Sequence, residues 1–395
     1  MSVPCRAAND DDPDAAFLDD VRRFLAEALT PDLREAGRRT LGVHSDIEAC
    51  RIWHRRLYQR GWIAPGWPVA HGGTGWTARQ RFLFDRECAL NDAPVLFAGG
   101  IRSLGPLLIE MGTAVQQARF LPGILSGEDL WAQGFSEPGA GSDLARVATR
   151  AERQGEHYLV DGSKIWTTGA HLANRMFALV RTAMGDKPQR GLTFLLIDMP
   201  SPGLTVSPII TIDGEHELNA VFFDQVRVPV ANRIGEEGQG WGVAKRLMQL
   251  ARSNNTPSAL VRRVYQRARA AALAAGDLEP GLRARLVAAE VELTAFEQTE
   301  LALLPGGRLR EGDNTSPSVL KLIGSELHQR VAELAMEIAG TTRGGALEPF
   351  REEAGLLADG ARATAKHFAT RAASIYSGSS ETQRNVIFQA LQAAG

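Results

Sequence analysis

The feature that most constrains the fold is a change of hydrophobic period, made twice along 395 residues. From Asp14 the apolar positions Phe17, Val21, Phe24, Leu25 and Leu29 share one helical face, and Ile47, Cys50, Trp53 and Leu57 do so again before Gly61. Near Leu130 the runs become short and rich in Val, Ile, Thr and Phe, as in HYLVDGSKIWTTGA, MFALVRTA, LTFLLIDM, LTVSPIITI and AVFFDQVRVPV. After EEGQGW the helical period returns. It is clearest where Leu320, Ile323, Leu327, Val331, Leu334 and Ile338 form a stripe with Gly340 as its stop. A chain of this length exceeds what one core serves. The order helices, strands, helices therefore predicts an α+β protein with a helical domain over 1–130, a β domain over 131–241 and a helical domain over 242–395.

Composition narrows the partners. A formal net charge of -2 supplies no general attraction for nucleic acid or anionic membranes. Nowhere do eighteen apolar residues run together, and the start MSVPCRAANDDDPDAAF is acidic, so a cytoplasmic protein is expected. Cys5, Cys50 and Cys88 are odd in number and far apart, and they read as thiols. None of the eight histidines has ligand spacing, so no metal is expected. The segment GWIAPGWPVAHGGTGWT, 61–77, has too many breakers for a helix and too many indoles for a linker, which predicts a packed loop.

The strongest local signal is WAQGFSEPGAGSD, 131–143. Pro138, Gly139 and Gly141 force a tight irregular loop, the small residues let a planar ligand approach backbone N–H groups, and Ser136 and Ser142 add hydroxyls. It is not a dinucleotide fingerprint, because Leu144 stands three residues after Gly141 and no βαβ pattern surrounds it. Alone, the loop reads equally well as a surface turn.

It does not stand alone. The GW-rich loop after Gly61, FLPGILSGEDLWAQGFSEPGAGSDLA, GSKIWTTGA, NAVFFDQVRVP and the closing IYSGSSETQRNVI, in that order, closely resemble the acyl-CoA dehydrogenase family of flavoproteins over nearly the whole chain. The resemblance implies an N-terminal helical domain, a central β-barrel-like domain and a C-terminal four-helix bundle, assembled into homo- or hetero-oligomers with a homologous subunit. It implies FAD, an acyl-CoA or other acyl thioester as substrate, and an electron-transfer flavoprotein as acceptor. Carried over position by position, the flavin contacts fall on Gln133, Phe135, Ser136, Gly141, Ser142, Trp166, Thr167, Thr168, Ser379 and Glu381, and the substrate contacts on Ser142, Arg252 and Ser377. The C-terminal hinge lies over the active site in this family. Ser380 followed by Gln383 reads as a capping box for the helix after it, with Glu381 in the first turn.

The same resemblance exposes a gap. The family removes an α-proton with a carboxylate directly after the hinge Tyr, here Ser377, or in a second branch just before an Arg matched by Arg252, here Ala251. An unactivated hydroxyl has too high a pKa for this and alanine offers nothing, although the N–H of Ser377 can still donate to a thioester oxygen. Glu381 and His216 are the weak remaining candidates. A second departure is Glu337, where Gln is common near a flavin pyrophosphate, an unfavourable charge unless it is paired. The segments GEHELNAVFFDQVRVP, EEGQGW and VELTAFEQTEL are most similar to the branch of dicarboxylic and steroid side-chain acyl-CoA dehydrogenase subunits, whose heterotetramers often contain one subunit type without the base. Four readings follow: a dehydrogenase, a non-catalytic partner subunit, a flavin oxidase or monooxygenase on the same fold, or a helical scaffold with no cofactor, with which the first loop and Trp166 conflict.

Overall fold

The computed structural model describes residues 13–251, 257–305, 315–343 and 359–394. Its first third holds helices α1 (Ala15–Ala28), α2 (Pro31–Arg39), α3 (Ile47–Arg60), α4 (Ala78–Leu90), α5 (Gly105–Met111) and α6 (Ala114–Ser126). Their starts are chemically marked. Thr77 and Thr113 each form a capping box with the Gln three residues on, and Asp46 accepts from the N–H groups of Glu48 and Ala49. Gly61 ends α3 in the left-handed region that glycine adopts without strain.

The GW segment is a packed loop, as its composition predicts. Trp62 and Trp67 are buried, and Trp62 and Trp76 form edge-on contacts with Phe24, Phe84 and Phe17. Trp67 donates from Nε1 to Ile101 O at 2.8 Å, so this indole is both buried and satisfied.

The strands are β1 (Trp131–Gly134), β2 (Arg150–Gln154), β3 (His157–Lys164), β4 (Arg175–Arg181), β5 (Leu192–Asp198), β6 (Leu204–Ile209), β7 (Leu218–Pro229) and β8 (Arg233–Ile234). They form one eight-stranded sheet in the order β6-β7-β3-β2-β4-β5-β8, with β1 parallel to β4. Strands β4 and β5 are buried on both faces, which explains their continuous apolar runs. Phe177, Leu179, Phe194 and Leu196 join the core of the N-terminal helices, whereas Met176, Ala178, Leu195 and Ile197 join Tyr158, Val160, Val221 and Phe223 in a core the strands enclose among themselves. That second core is the barrel-like element.

The last third comprises α7 (Gly240–Ala251), α8 (Ser258–Ala275), α9 (Pro280–Ala302), α10 (Ser316–Arg343), α11 (Asp359–Thr370) and α12 (Ser380–Ala394). Val261, Val264, Leu286, Leu293, Phe296, Leu327, Val331, Leu334 and Ile338 pack α8, α9 and α10 together. Two expectations need correction here. Helix α10 runs past Gly340 to Arg343, and Ile323 of its stripe is 37% exposed rather than buried. A single glycine costs a long helix only about 1 kcal/mol, too little to end one held by tertiary packing.

Candidate functional site

The site is built where β3 runs out. Lys164, the last residue of β3, points into the interior and is completely buried. Its ammonium donates to Glu137 Oε1 at 2.7 Å, Leu179 O at 2.6 Å and Phe135 O at 3.2 Å. The Glu137 carboxylate also accepts from Ala148 N at 2.5 Å and Thr149 N at 3.0 Å. Burial raises the Glu137 pKa, but the Lys164 charge and these N–H donors outweigh it and hold the carboxyl below its ordinary 4.5. Lys164 is pushed the other way, downward, by burial. Together the pair ties the 135–142 loop to the strand, and Ile165 N adds a bond to Ser136 O at 2.9 Å. Neither residue stood among the sequence candidates. A charge at the inward-facing position of an alternating strand, Tyr158, Val160, Lys164, was the available signal.

Beyond Lys164 the backbone turns sharply. Trp166 is non-glycine at φ 59°, a left-handed conformation that costs on the order of 1–2 kcal/mol, and its indole is 56% exposed. Thr167 follows, 1% exposed, with its hydroxyl buried and without a hydrogen-bond partner. In the loop that Ile165 N joins at Ser136 O, a Cβ at Gly139 or Gly141 would meet nothing, and Ser142 is exposed. A strained, outward-facing aromatic plate beside an orphaned hydroxyl and an open glycine loop suits a planar aromatic ring with polar edges. These residues fit an isoalloxazine.

The other predicted contacts are distributed unevenly. Ser136 is half-buried in the loop and Thr168 half-buried beside Thr167. Gln133 is the exposed residue of β1. Phe135 has its ring in the core, edge-on to Phe177 and Phe194, so only its backbone is free to serve the loop.

The C-terminal hinge carries two successive left-handed residues, Ser377 at φ 55° and Gly378 at φ 85°. Here the capping expectation shifts by one residue. Ser379 is the cap, its Oγ accepting from Thr382 N at 3.3 Å, while the Ser380 hydroxyl is buried without a partner. Gln383 does not reach back to the cap N–H; it donates to the carbonyls of Ser377 at 3.3 Å and Gly378 at 3.1 Å and so braces the hinge. Glu381 is exposed in the first turn of α12, held below the usual carboxylate range by its own backbone N–H and the Ser379 hydroxyl. Ala251 ends α7, and Arg252 lies outside the described residues. His216 is engaged elsewhere: its ring stacks on His171 at 3.8 Å and its Nε2 bonds Asn219 Oδ1 at 2.9 Å. Glu337 is paired, both oxygens accepting from Arg285 at 2.6 and 2.8 Å, which removes the bare negative charge expected there. Among the described residues no helix is long and apolar enough to cross a membrane.

Three family models match in chain order: acyl-CoA dehydrogenase N-terminal domain over 11–128, middle domain over 132–226 and C-terminal domain over 238–392. Among curated proteins, the chain is 37% identical to "Acyl-CoA dehydrogenase IpdE1" of Mycobacterium tuberculosis, over 94% of this chain and 95% of that one. Among solved structures it is similar to the ChsE4-ChsE5 complex from Mycobacterium tuberculosis, at 28% identity and TM-score 0.80 over 100% of this chain and 99% of that one. It is equally similar to the "Tcur3481-Tcur3483 steroid ACAD", at 26% identity and TM-score 0.80 over 97% and 98%.

Proposed function

This chain belongs to the acyl-CoA dehydrogenase family of FAD-dependent oxidoreductases acting on CH–CH bonds, and from that premise we propose that it serves the α,β-desaturation of an acyl thioester as one subunit of a hetero-oligomer with a homologous subunit. The observation that carries this reading is the exposed, left-handed Trp166 beside the unpartnered Thr167 hydroxyl, which suits a flavin ring, together with a hinge whose base position holds only the hydroxyl of Ser377.

FAD, when bound, would accept the β-hydride and later pass electrons to an electron-transfer flavoprotein. The chain's own residues do the rest. Trp166 and the 136–142 loop hold the ring, and the N–H of Ser377 is the donor available to a thioester carbonyl oxygen, where charge grows as the α-proton leaves. Glu381, already stabilised as an anion at a helix start, reads as part of α12 rather than as the proton acceptor. His216 reads as structural, since its Nε2 is committed to Asn219. A homologous subunit with its own carboxylate supports turnover in the assembly, and the ChsE4-ChsE5 structure, by its description a complex of two proteins, is consistent with such pairing.

A second reading is favoured by the same Ser377 together with Ala251: a non-catalytic subunit that keeps the fold and the flavin for assembly. One experiment separates them. The protein purified alone is loaded with FAD and mixed anaerobically with acyl-CoA thioesters, including a steroid side-chain thioester because the Tcur pair is described as a steroid enzyme; it is then remixed with the homologous subunit. Bleaching that requires both chains, and is lost when Trp166 or Thr168 of this chain is altered, supports a working flavin site. Bleaching insensitive to those changes assigns the chain a purely structural role.

A further inference from the structure

Behind the flavin seat lies a polar cluster that the reaction does not use. Asn219, the second residue of β7, is fully buried and holds both backbone groups of Thr167: its carbonyl accepts from Thr167 N at 3.0 Å, and its Nδ2 donates to Thr167 O at 3.0 Å. The rest of its amide is shared between two histidines, His171 Nδ1 at 3.1 Å from Nδ2 and His216 Nε2 at 2.9 Å from Oδ1. The two imidazoles stack at 3.8 Å with an interplanar angle of 17°.

These distances fix the protons. A carbonyl can only accept, so the Asn219 amide nitrogen must face Thr167 O. Its other N–H then meets His171 Nδ1, which must carry a lone pair, and its Oδ1 requires a hydrogen on His216 Nε2. We propose that His171, Asn219 and His216 form a positioning relay that holds Trp166–Thr168 in its flavin-binding geometry only while His171 is neutral. The proposal rests on the flavin reading above.

Protonating His171 at Nδ1 sets two N–H donors head to head. Either the amide rotates and releases Thr167 O, or the imidazole rotates and leaves the stack. Both outcomes loosen the segment that keeps Trp166 left-handed. His216 behaves differently. Its Nε2 is already a donor, so a proton on Nδ1 disturbs no bond to Asn219, and His216 lines a cavity of about 670 Å3 shared with His44, Glu215 and Glu217. A charged His216 stacked on His171 in turn keeps His171 neutral.

Burial dominates the balance at His171, although the Asn219 hydrogen bond opposes it. Burial lowers the His171 pKa first, and His216 and His44 lower it further. Facing the pair are Glu217, whose carboxylate accepts from Val43 N at 2.6 Å, and Glu215, raised by burial and by Asp213 and Glu217. Lys366 of α11 is pushed down to about 7 by burial and by Arg263 and Arg267, against Glu217 and Asp213, while its amine donates to Leu41 O at 2.6 Å.

The test is the affinity of the full chain for FAD, followed by quenching of flavin fluorescence from pH 8 down to the onset of acid unfolding, in the wild type and in His171→Phe, which keeps a stacked ring but no titrating nitrogen. Affinity of the wild type is expected to fall about tenfold for each pH unit below the His171 pKa, because binding selects the neutral form. His171→Phe should give a flat profile, and His216→Phe should move the fall to higher pH by removing the neighbouring charge. A wild type that binds FAD with no such fall, or a His171→Phe profile that still follows the wild type, overturns the relay while leaving the flavin reading intact. Absence of FAD binding at every pH overturns the flavin reading and the relay with it. Nitrogen NMR of the histidine rings gives a check independent of the cofactor: an N–H on Nδ1 of His171 at neutral pH overturns the assignment.

Discussion

At the scale of single residues, the buried ion pair that ties the 135–142 loop to β3 has the clearest consequence. Lys164 and Glu137 are 0% and 8% exposed, and each is the charge partner of the other, with backbone groups completing their hydrogen bonds. Such a pair contributes little over an apolar replacement but is costly to break, since an unpaired buried charge remains. Glu137→Gln should therefore destabilise the protein by about 3–5 kcal/mol at pH 7, read from the urea midpoint. The pH dependence has a definite sign. The folded-state pKa of Glu137 lies below its unfolded value of 4.5, so its stabilisation is complete above that pH and is lost as pH falls through the folded pKa. The wild type should lose stability on acidification below about pH 4.5 more steeply than Glu137→Gln, whose residue 137 has no proton to take up. Equal acid slopes would show that the fold does not lower the Glu137 pKa.

At the scale of elements, the hinge and α12 form one device. Gly378 is left-handed, and a Cβ there would lie 2.4 Å from Gln383 Nε2, the group that braces the two hinge carbonyls. Gly378→Ala should cost about 1–2 kcal/mol and speed amide exchange in the first turns of α12, leaving the β domain unchanged; uniform exchange across α12 would contradict the bracing role. This element also marks how far sequence reasoning reaches. The glycine, the serines and the following helix were legible, because local conformational preferences write them. The choice of Ser379 over Ser380 was not, because either hydroxyl satisfies the pattern and tertiary packing selects one. The proposed flavin segment behaves likewise: GSKIWTTGA reads as a strand carrying Trp166, Thr167 and Thr168, whereas β3 ends at Lys164 and Trp166 lies in the turn beyond it. Its left-handed Trp166 and the Asn219 amide that pins it depend on the register of β3 against β7, which periodicity does not encode. Glu137 and Lys164 lie 27 residues apart and meet only through the sheet.

At the scale of the whole molecule, the proposed reading joins a ring seat at the end of β3 to a C-terminal hinge, with Ser377 and Ala251 at the two positions where the family carries its base. That combination makes a gain of function the sharpest test. Ser377 is exposed and its backbone is already left-handed, so Ser377→Glu adds a carboxylate at the hinge without a new steric demand on the main chain. A positioned general base contributes about 10²–10⁴-fold to such a step. The wild type purified alone and loaded with FAD should not bleach on mixing with acyl-CoA, whereas Ser377→Glu should bleach at a rate higher by roughly that factor. Bleaching by the unpaired wild type would place a base within this chain and remove the reason for a partner subunit. A variant that binds FAD yet never bleaches would mean that the thioester is not presented to Ser377 at all. The hinge would then serve the assembly, and the chemistry would belong to the homologous subunit.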